Sequence, residues 1–246
     1  AITMGDPAGI GPEIIAKAFR DDPTVTAGCF VVGDMATLRR ASAAVSGPGR
    51  PLIPVAGIDA PQDVFEMPPR CIPVLQMPRR LGPVAVGRVS AEAGQAAADC
   101  VVWAAQAALR KEIGAIVTAP LHKEALAAAG ISYPGHTELL QAQAAAFLGK
   151  SVSEVPVRMM LANDELRTVL LSIHVALRDA IDAVTPENLL ETLRITHESV
   201  GALLQRAPRI GVAGLNPHAG EGGLFGREEM DVFAPTIETA RRAGMD

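Results

Sequence analysis

The sequence predicts an α/β protein with a mixed, largely parallel sheet. Short apolar runs alternate with longer stretches of helical periodicity. The runs are near-continuously apolar, as strands buried on both faces are. Glycine-containing turns close several of them, as in strand–loop–helix units.

The elements follow in chain order. AITMG (1–5) is a short strand ending in a glycine turn, and PEIIAKAFRD (12–21) a helix with Pro12 at its first position. GCFVVGD (28–34) is a buried strand, followed by the helical MATLRRASAAV. Residues 47–83 are rich in Pro and Gly, with IPVLQM (72–77) as a strand inside them. The longest helical pattern covers 90–112. GAIVTAP (114–120) is a strand broken by Pro120, and HKEALAAAG (122–130) a helix stopped by Gly130. VRMMLAN (157–163) and RTVLLSIH (167–174) read as an antiparallel pair, which makes the sheet mixed. Residues 185–206 form a helix with Thr185 as N-cap and Pro186 at N1. RIGVAGLNP (209–217) is a further strand, and 227–244 is helical with a proline interruption.

Composition narrows the function. A chain of 246 residues with 49% hydrophobic residues can bury one large core or two smaller ones. Aromatics are only 3%, so Ala, Val, Leu and Ile must fill it. The net charge of −5 is evenly spread, which points away from nucleic acid and anionic membranes. The longest apolar runs, such as VVWAAQAAL (101–109), are too short to span a bilayer. AITMGDPAG does not read as a signal peptide. Cys29, Cys71 and Cys100 are expected as buried free thiols in a reducing cytoplasm.

In α/β folds ligands gather at the carboxyl ends of strands. Four of the five histidines fall at predicted strand or loop ends: His122, His136, His174 and His218. His197, in RITHESV, is expected as an ordinary helix residue. Neutral imidazoles are common metal ligands, and several of them could hold a Zn²⁺-like ion. The spacing does not decide it. His136 to His174 is 38 residues and His174 to His218 is 44, with no short HxxxH signature, so metal ligands and hydrogen-bonded loop histidines both stand. GLNPHAGEGGLFG (214–226) follows the strand at 209–217 and so puts His218 where such a fold does its chemistry. GDPAGIGPE (5–13) has glycines at 5, 9 and 11, which is neither GxGxxG nor a P-loop. It is a turn needing positive φ or a close backbone approach to a ligand, with Asp6 as a turn cap or a site residue. No GxSxG is present and no Cys lies beside a His, so nucleophilic catalysis has little support. The carboxylate pairs Asp164–Glu165 and Glu228–Glu229 are expected as solvated charges.

Taken together, MGDPAGIGPEI, TAPLHKEAL, YPGHTELL, MMLANDELRTVLLSIHVALRD and LNPHAGEGGLFGREE resemble the 4-hydroxythreonine-4-phosphate dehydrogenase (PdxA) family, in the family's order and over almost the whole chain. The resemblance implies two α/β/α domains similar to those of isocitrate and isopropylmalate dehydrogenases, expected over residues 1–120 and 121–246. It implies a cytoplasmic homodimer with active sites at the subunit interface. It implies a divalent metal (Zn, Co or Mg) held by three histidines from both subunits, of which His174 and His218 match here. His136 and Thr137 match the substrate-contacting pair, and Glu221 is a candidate for orienting an imidazole. The implied cofactor is NAD, with NADP as the alternative. The implied reaction oxidises the secondary alcohol of 4-hydroxy-threonine 4-phosphate and then decarboxylates it to 3-amino-2-oxopropyl phosphate, on the route to pyridoxal phosphate. Related dehydrogenases act on D-threonate or D-erythronate 4-phosphate, or on a cis-dihydrodiol carboxylate of the terephthalate type. The third metal histidine and the substrate-contacting Lys, Asn and Arg are expected beyond Asp246. Two other classes remain: an acyl- or phosphoryl-transferring protein of related fold, such as a phosphate acetyltransferase, and a non-catalytic small-molecule binding domain.

Overall fold

Five short runs dominated by β-branched residues build one sheet: β1 (Ile2–Thr3), β2 (Val31–Gly33), β3 (Val55–Ile58), β4 (Ile72–Gln76) and β5 (Val117–Thr118). A computed structural model describes residues 1–133 and 135–246; Pro134 of the YPGHTELL segment lies outside the described residues. The strand order is β3-β4-β2-β1-β5, and every neighbouring pair is parallel. The protein has an α/β fold with a mostly parallel central sheet. Thr3, Val31, Val32, Ile72 and Val74 are fully buried, as strands covered by helices must be.

The helices of this part are α1 (Gly11–Asp21), α2 (Met35–Val45), α3 (Ala91–Leu109), α4 (Lys123–Ala128) and α5 (His136–Leu148). α1 buries Ile15, Ala16 and Phe19 against the sheet side of the core. α2 is capped by Asp34, whose carboxylate accepts from the Thr37 N–H at 2.8 Å and from its hydroxyl at 3.0 Å. α3 shows how a chain with few aromatics still packs densely. Seven alanines of α3 are buried, and at Gly94 a Cβ would lie 2.0 Å from the Ala125 carbonyl oxygen. Helix backbone therefore touches helix backbone where α3 meets α4. Ala98, Val101, Leu126 and Leu139 close a small cluster among α3, α4 and α5.

Two compact units divide the chain, Ala1–Pro156 and Val157–Asp246. α4 and α5 lie after Pro120 in sequence and pack on α3 within the first unit. In the second unit β6 (Met160–Ala162) and β7 (Arg167–Val169) pair antiparallel as a separate two-stranded ribbon. The expected antiparallel pair is thus present, as its own ribbon and not as part of the all-parallel sheet. Its turn is held by the Asn163 side chain, which accepts from the Glu165 and Leu166 N–H groups at 2.9 and 2.7 Å. α6 (Leu177–Asp182), α7 (Pro186–Leu204) and α8 (Ala234–Arg242) complete the unit. Thr185 caps α7 by accepting from the Asn188 N–H, with Pro186 in the first turn, as the sequence predicts. Leu189 and Leu193 of α7, Phe233 just before α8 and Ala240 of α8 form a core of this unit.

One expected strand is absent. Residues 209–217 are not part of a sheet among the described residues: an extended segment becomes a strand only when a neighbour pairs with it. Here Ile210 donates its N–H to the Asp246 carbonyl at 2.8 Å, a single bond rather than a ladder. The proline interruption in the last helix takes a definite form. The turn Glu229–Phe233 is widened, and the Ala234 N–H reaches back to the Glu229 carbonyl, one residue further than in an α-helix. No helix among the described residues is long and apolar enough to cross a membrane.

Candidate active site

In the first unit the strand order reverses beside β1. The path through α1 leads to β2 on one side, and the path through α3 leads to β5 on the other. Loops leave the carboxyl ends of β1 and β5 at this reversal, the place where folds of this class bind ligands. They are tied together, since the Asp6 N–H donates to the Pro120 carbonyl at 3.0 Å. Gly5, at φ 73°, has to be glycine. A Cβ there would sit 2.6 Å from the Pro120 oxygen. Asp6 is buried and its carboxylate accepts from the Ala8 N–H at 2.8 Å, so it caps the turn.

His136 is the first residue of α5 and is half-buried. Burial pushes its imidazole below the ordinary histidine range, with the Ala119 backbone just past β5 opposing the shift in smaller measure. The ring thus lies near the Ala119 backbone, just past β5. Its Nε2 is buried and has no hydrogen-bond partner among the described residues. Such an atom costs roughly 1–3 kcal/mol unless something bonds to it. Thr137 follows on the same turn, also half-buried. His122 is exposed and immediately precedes α4.

The second unit presents His174 and His218. Both are exposed and both have left-handed backbone, at φ 54° and 53°. His174 lies between β7 and α6. His218 opens a run of five left-handed residues, with Ala219, Gly220, Glu221 and Gly222 at φ 51°, 80°, 44° and 65°. Each non-glycine residue in that region costs roughly 1–2 kcal/mol, and such strain concentrates at functional sites. Glu221 is exposed on the same turn.

The turn is held from outside. Glu229 accepts from the backbone N–H groups of Leu215 and Asn216, and the Asn216 side chain donates to both Glu228 and Glu229. Backbone N–H groups lead the lowering of both carboxyls below the usual glutamate range, with the Asn216 amide adding to it. This corrects the expectation of solvated charges at Glu228 and Glu229, which are half-buried and engaged. The sequence shows an Asn two residues before the histidine and a Glu pair after the glycines, but only the contacts across 13 to 14 residues join them. Asp164 and Glu165 are exposed, as expected. His197 sits mid-α7, half-buried. The three cysteines are free, and burial pushes the Cys100 thiol up to about 12, which leaves it inert.

Two exposed imidazoles suit a divalent cation in donor chemistry. Among the described residues, however, no three His, Cys, Asp or Glu side chains gather into a metal site. His174 and His218 would supply two donors of such a site, and a further donor would have to come from elsewhere.

A parallel sheet flanked by helices, with polar loops where its order reverses, defines the α/β class that takes up small ligands at its carboxyl edge. Residues 26–246 match the model of the pyridoxal phosphate biosynthetic protein PdxA family, and the chain belongs to that family. It is 47% identical over 248 residues to the 4-hydroxythreonine-4-phosphate dehydrogenase of Beijerinckia indica, covering 100% of this chain and 69% of that protein. It is 42% identical over 249 residues to the D-threonate 4-phosphate dehydrogenase of Salmonella typhimurium, covering 100% and 72%. The crystal structure of a 4-hydroxythreonine-4-phosphate dehydrogenase from Klebsiella pneumoniae superposes with a TM-score of 0.85 at 37% identity, over 99% of this chain and 70% of that one.

Proposed function

We propose that the chain is an NAD-dependent, divalent-metal-dependent dehydrogenase that oxidises 4-hydroxy-threonine 4-phosphate and decarboxylates the product. The observation that carries this reading is 47% identity along the entire chain to a relative of that name. Two features support it: His136 at the carboxyl edge of β5, and His174 and His218 on strained, exposed turns.

The secondary alcohol beside the amino-bearing carbon loses a hydride to NAD⁺ and its proton to a base, leaving a ketone β to the carboxylate. The bond to the carboxylate then breaks, releasing CO₂, and the resulting enol takes a proton to give 3-amino-2-oxopropyl phosphate. A divalent cation held by His174 and His218 would lower the alcohol's pKa and hold negative charge on its oxygen. His136, kept neutral at pH 7 by its burial, offers Nε2 to a polar group of the substrate. Thr137 offers a hydroxyl from the next position of α5. Zn, Co and Mg all suit the chemistry. The proposed assembly is a cytoplasmic homodimer in which a partner chain completes the donor set.

A second reading has its own support in the 42% identity to a D-threonate 4-phosphate dehydrogenase. The two substrates differ at one substituent, amino against hydroxyl, on the carbon next to the carboxylate. Initial rates of NAD⁺ reduction with 4-hydroxy-threonine 4-phosphate, D-threonate 4-phosphate and a cis-dihydrodiol carboxylate separate them. The expected result is the highest kcat/KM with 4-hydroxy-threonine 4-phosphate and loss of turnover in EDTA. No NAD⁺ reduction with any of the three refutes the dehydrogenase reading.

A further inference from the structure

The hydrogen bonds around the glycine loop deepen the reading of His218 as a metal ligand, and this inference rests on that reading. Oε1 of Glu229 accepts the backbone N–H groups of Leu215 and Asn216 at 2.8 and 2.7 Å. Its Oε2 accepts from the Asn216 Nδ2 at 2.9 Å, and the same Nδ2 donates to Oε2 of Glu228 at 2.6 Å. A carboxylate engaged on both oxygens fixes the two residues that lead into the left-handed turn at 218–222. The glycines make room for it. A Cβ at Gly214 would meet Glu229 Oε1 at 3.3 Å, and one at Gly220 would meet Oε2 at 3.0 Å. Glu229 in turn stands on the widened turn that carries buried Phe233 into the core, so the clamp has a fixed base.

We propose that Glu229, acting through Asn216, is the positioning residue that holds the left-handed turn and sets where the His218 imidazole stands. It acts on the backbone of residues 215–216 and not on the ring. The turn cannot hold this form by its own preferences, because His218, Ala219 and Glu221 all disfavour left-handed backbone. The glutamate supplies what those side chains withhold, and the histidine is presented already oriented.

The test compares the whole chain with its Glu229→Ala, Glu229→Gln and Asn216→Ala forms. Hydrogen exchange is followed without metal, and Co²⁺ binding is titrated separately. In Glu229→Ala, amides of residues 215–223 should exchange about tenfold faster, while α7 exchanges as before. Co²⁺ affinity should fall about 10- to 100-fold. Glu229→Gln keeps one oxygen able to accept both backbone N–H groups and should recover most of the protection and the affinity. Should Glu229→Ala fail to fold, Asn216→Ala decides, with the same local acceleration expected. Unchanged exchange at 215–223 in a folded variant overturns the clamp whatever the metal does. Loss of protection spread through α7 overturns a positioning role in favour of general support. Local acceleration in a protein whose wild type binds no Co²⁺ instead overturns the metal reading.

Discussion

Gly226 stands at φ 137°, and a Cβ there would meet the Asn216 Nδ2 at 2.4 Å and Glu228 Oε2 at 2.6 Å. Gly226→Ala must therefore displace the groups that hold the glycine loop. We expect it to destabilise the second unit by about 1–3 kcal/mol. Gly211→Ala is the control: nothing lies within 4 Å of its Cβ position, so its effect should stay within about 0.5 kcal/mol. Denaturant unfolding of the two variants makes the comparison, and equal effects would contradict the clamp geometry. His136 makes a prediction of another kind. Burial lowers its pKa in the folded chain, so the unfolded chain binds more protons around and below the ordinary value near ~6.5. Stability should rise as pH climbs through that range and be constant above it, and His136→Asn should flatten the rise. A thermal unfolding series from pH 5 to 8 reads this directly.

At the scale of elements, the places where sequence patterns succeed and fail have physical causes. α7 was legible because Thr185, Pro186 and the following periodicity all agree, and local signals sufficed. β3 was not, because Val55–Ile58 is a four-residue edge strand inside a Pro- and Gly-rich stretch and owes its existence to pairing with β4. α5 was hidden in HTELLQAQAAAFL, whose alanines blur the amphipathic stripe. The segment at 209–217 failed in the opposite direction, with strand composition but no ladder. Among the candidate residues, His136, His174 and His218 stood out because histidines are few and fall at element ends. The role of Glu229 depends on contacts across 13 to 14 residues and needed coordinates. The packing of α3 on α4 yields a sharp test. Gly94→Ala would bring a Cβ within 2.0 Å of the Ala125 carbonyl oxygen, which is backbone and cannot turn aside. α4 must move, and the melting temperature of the first unit should fall by several degrees, on the order of 1–3 kcal/mol. An unshifted melting curve would show that the two helices do not approach this closely.

For the molecule as a whole, the proposed reaction draws on residues of both units. The first offers a parallel sheet whose reversal point carries Asp6, Pro120 and His136, and it fits recognition of a small substrate. The second offers two exposed imidazoles, one of them on a turn that Asn216, Glu228 and Glu229 brace. The chain belongs to the PdxA family, and the proposed reaction uses His136 of the first unit and His174 and His218 of the second. The most direct test removes the imidazoles and watches the chemistry. NAD⁺ reduction with 4-hydroxy-threonine 4-phosphate is measured for the whole chain and for its His174→Ala and His218→Ala forms, each after EDTA and again after adding back Zn²⁺, Co²⁺ or Mg²⁺. The account predicts turnover restored by a cation in the wild type and depressed by roughly 100-fold or more in both variants. Undiminished turnover in EDTA, or in either variant, would contradict it.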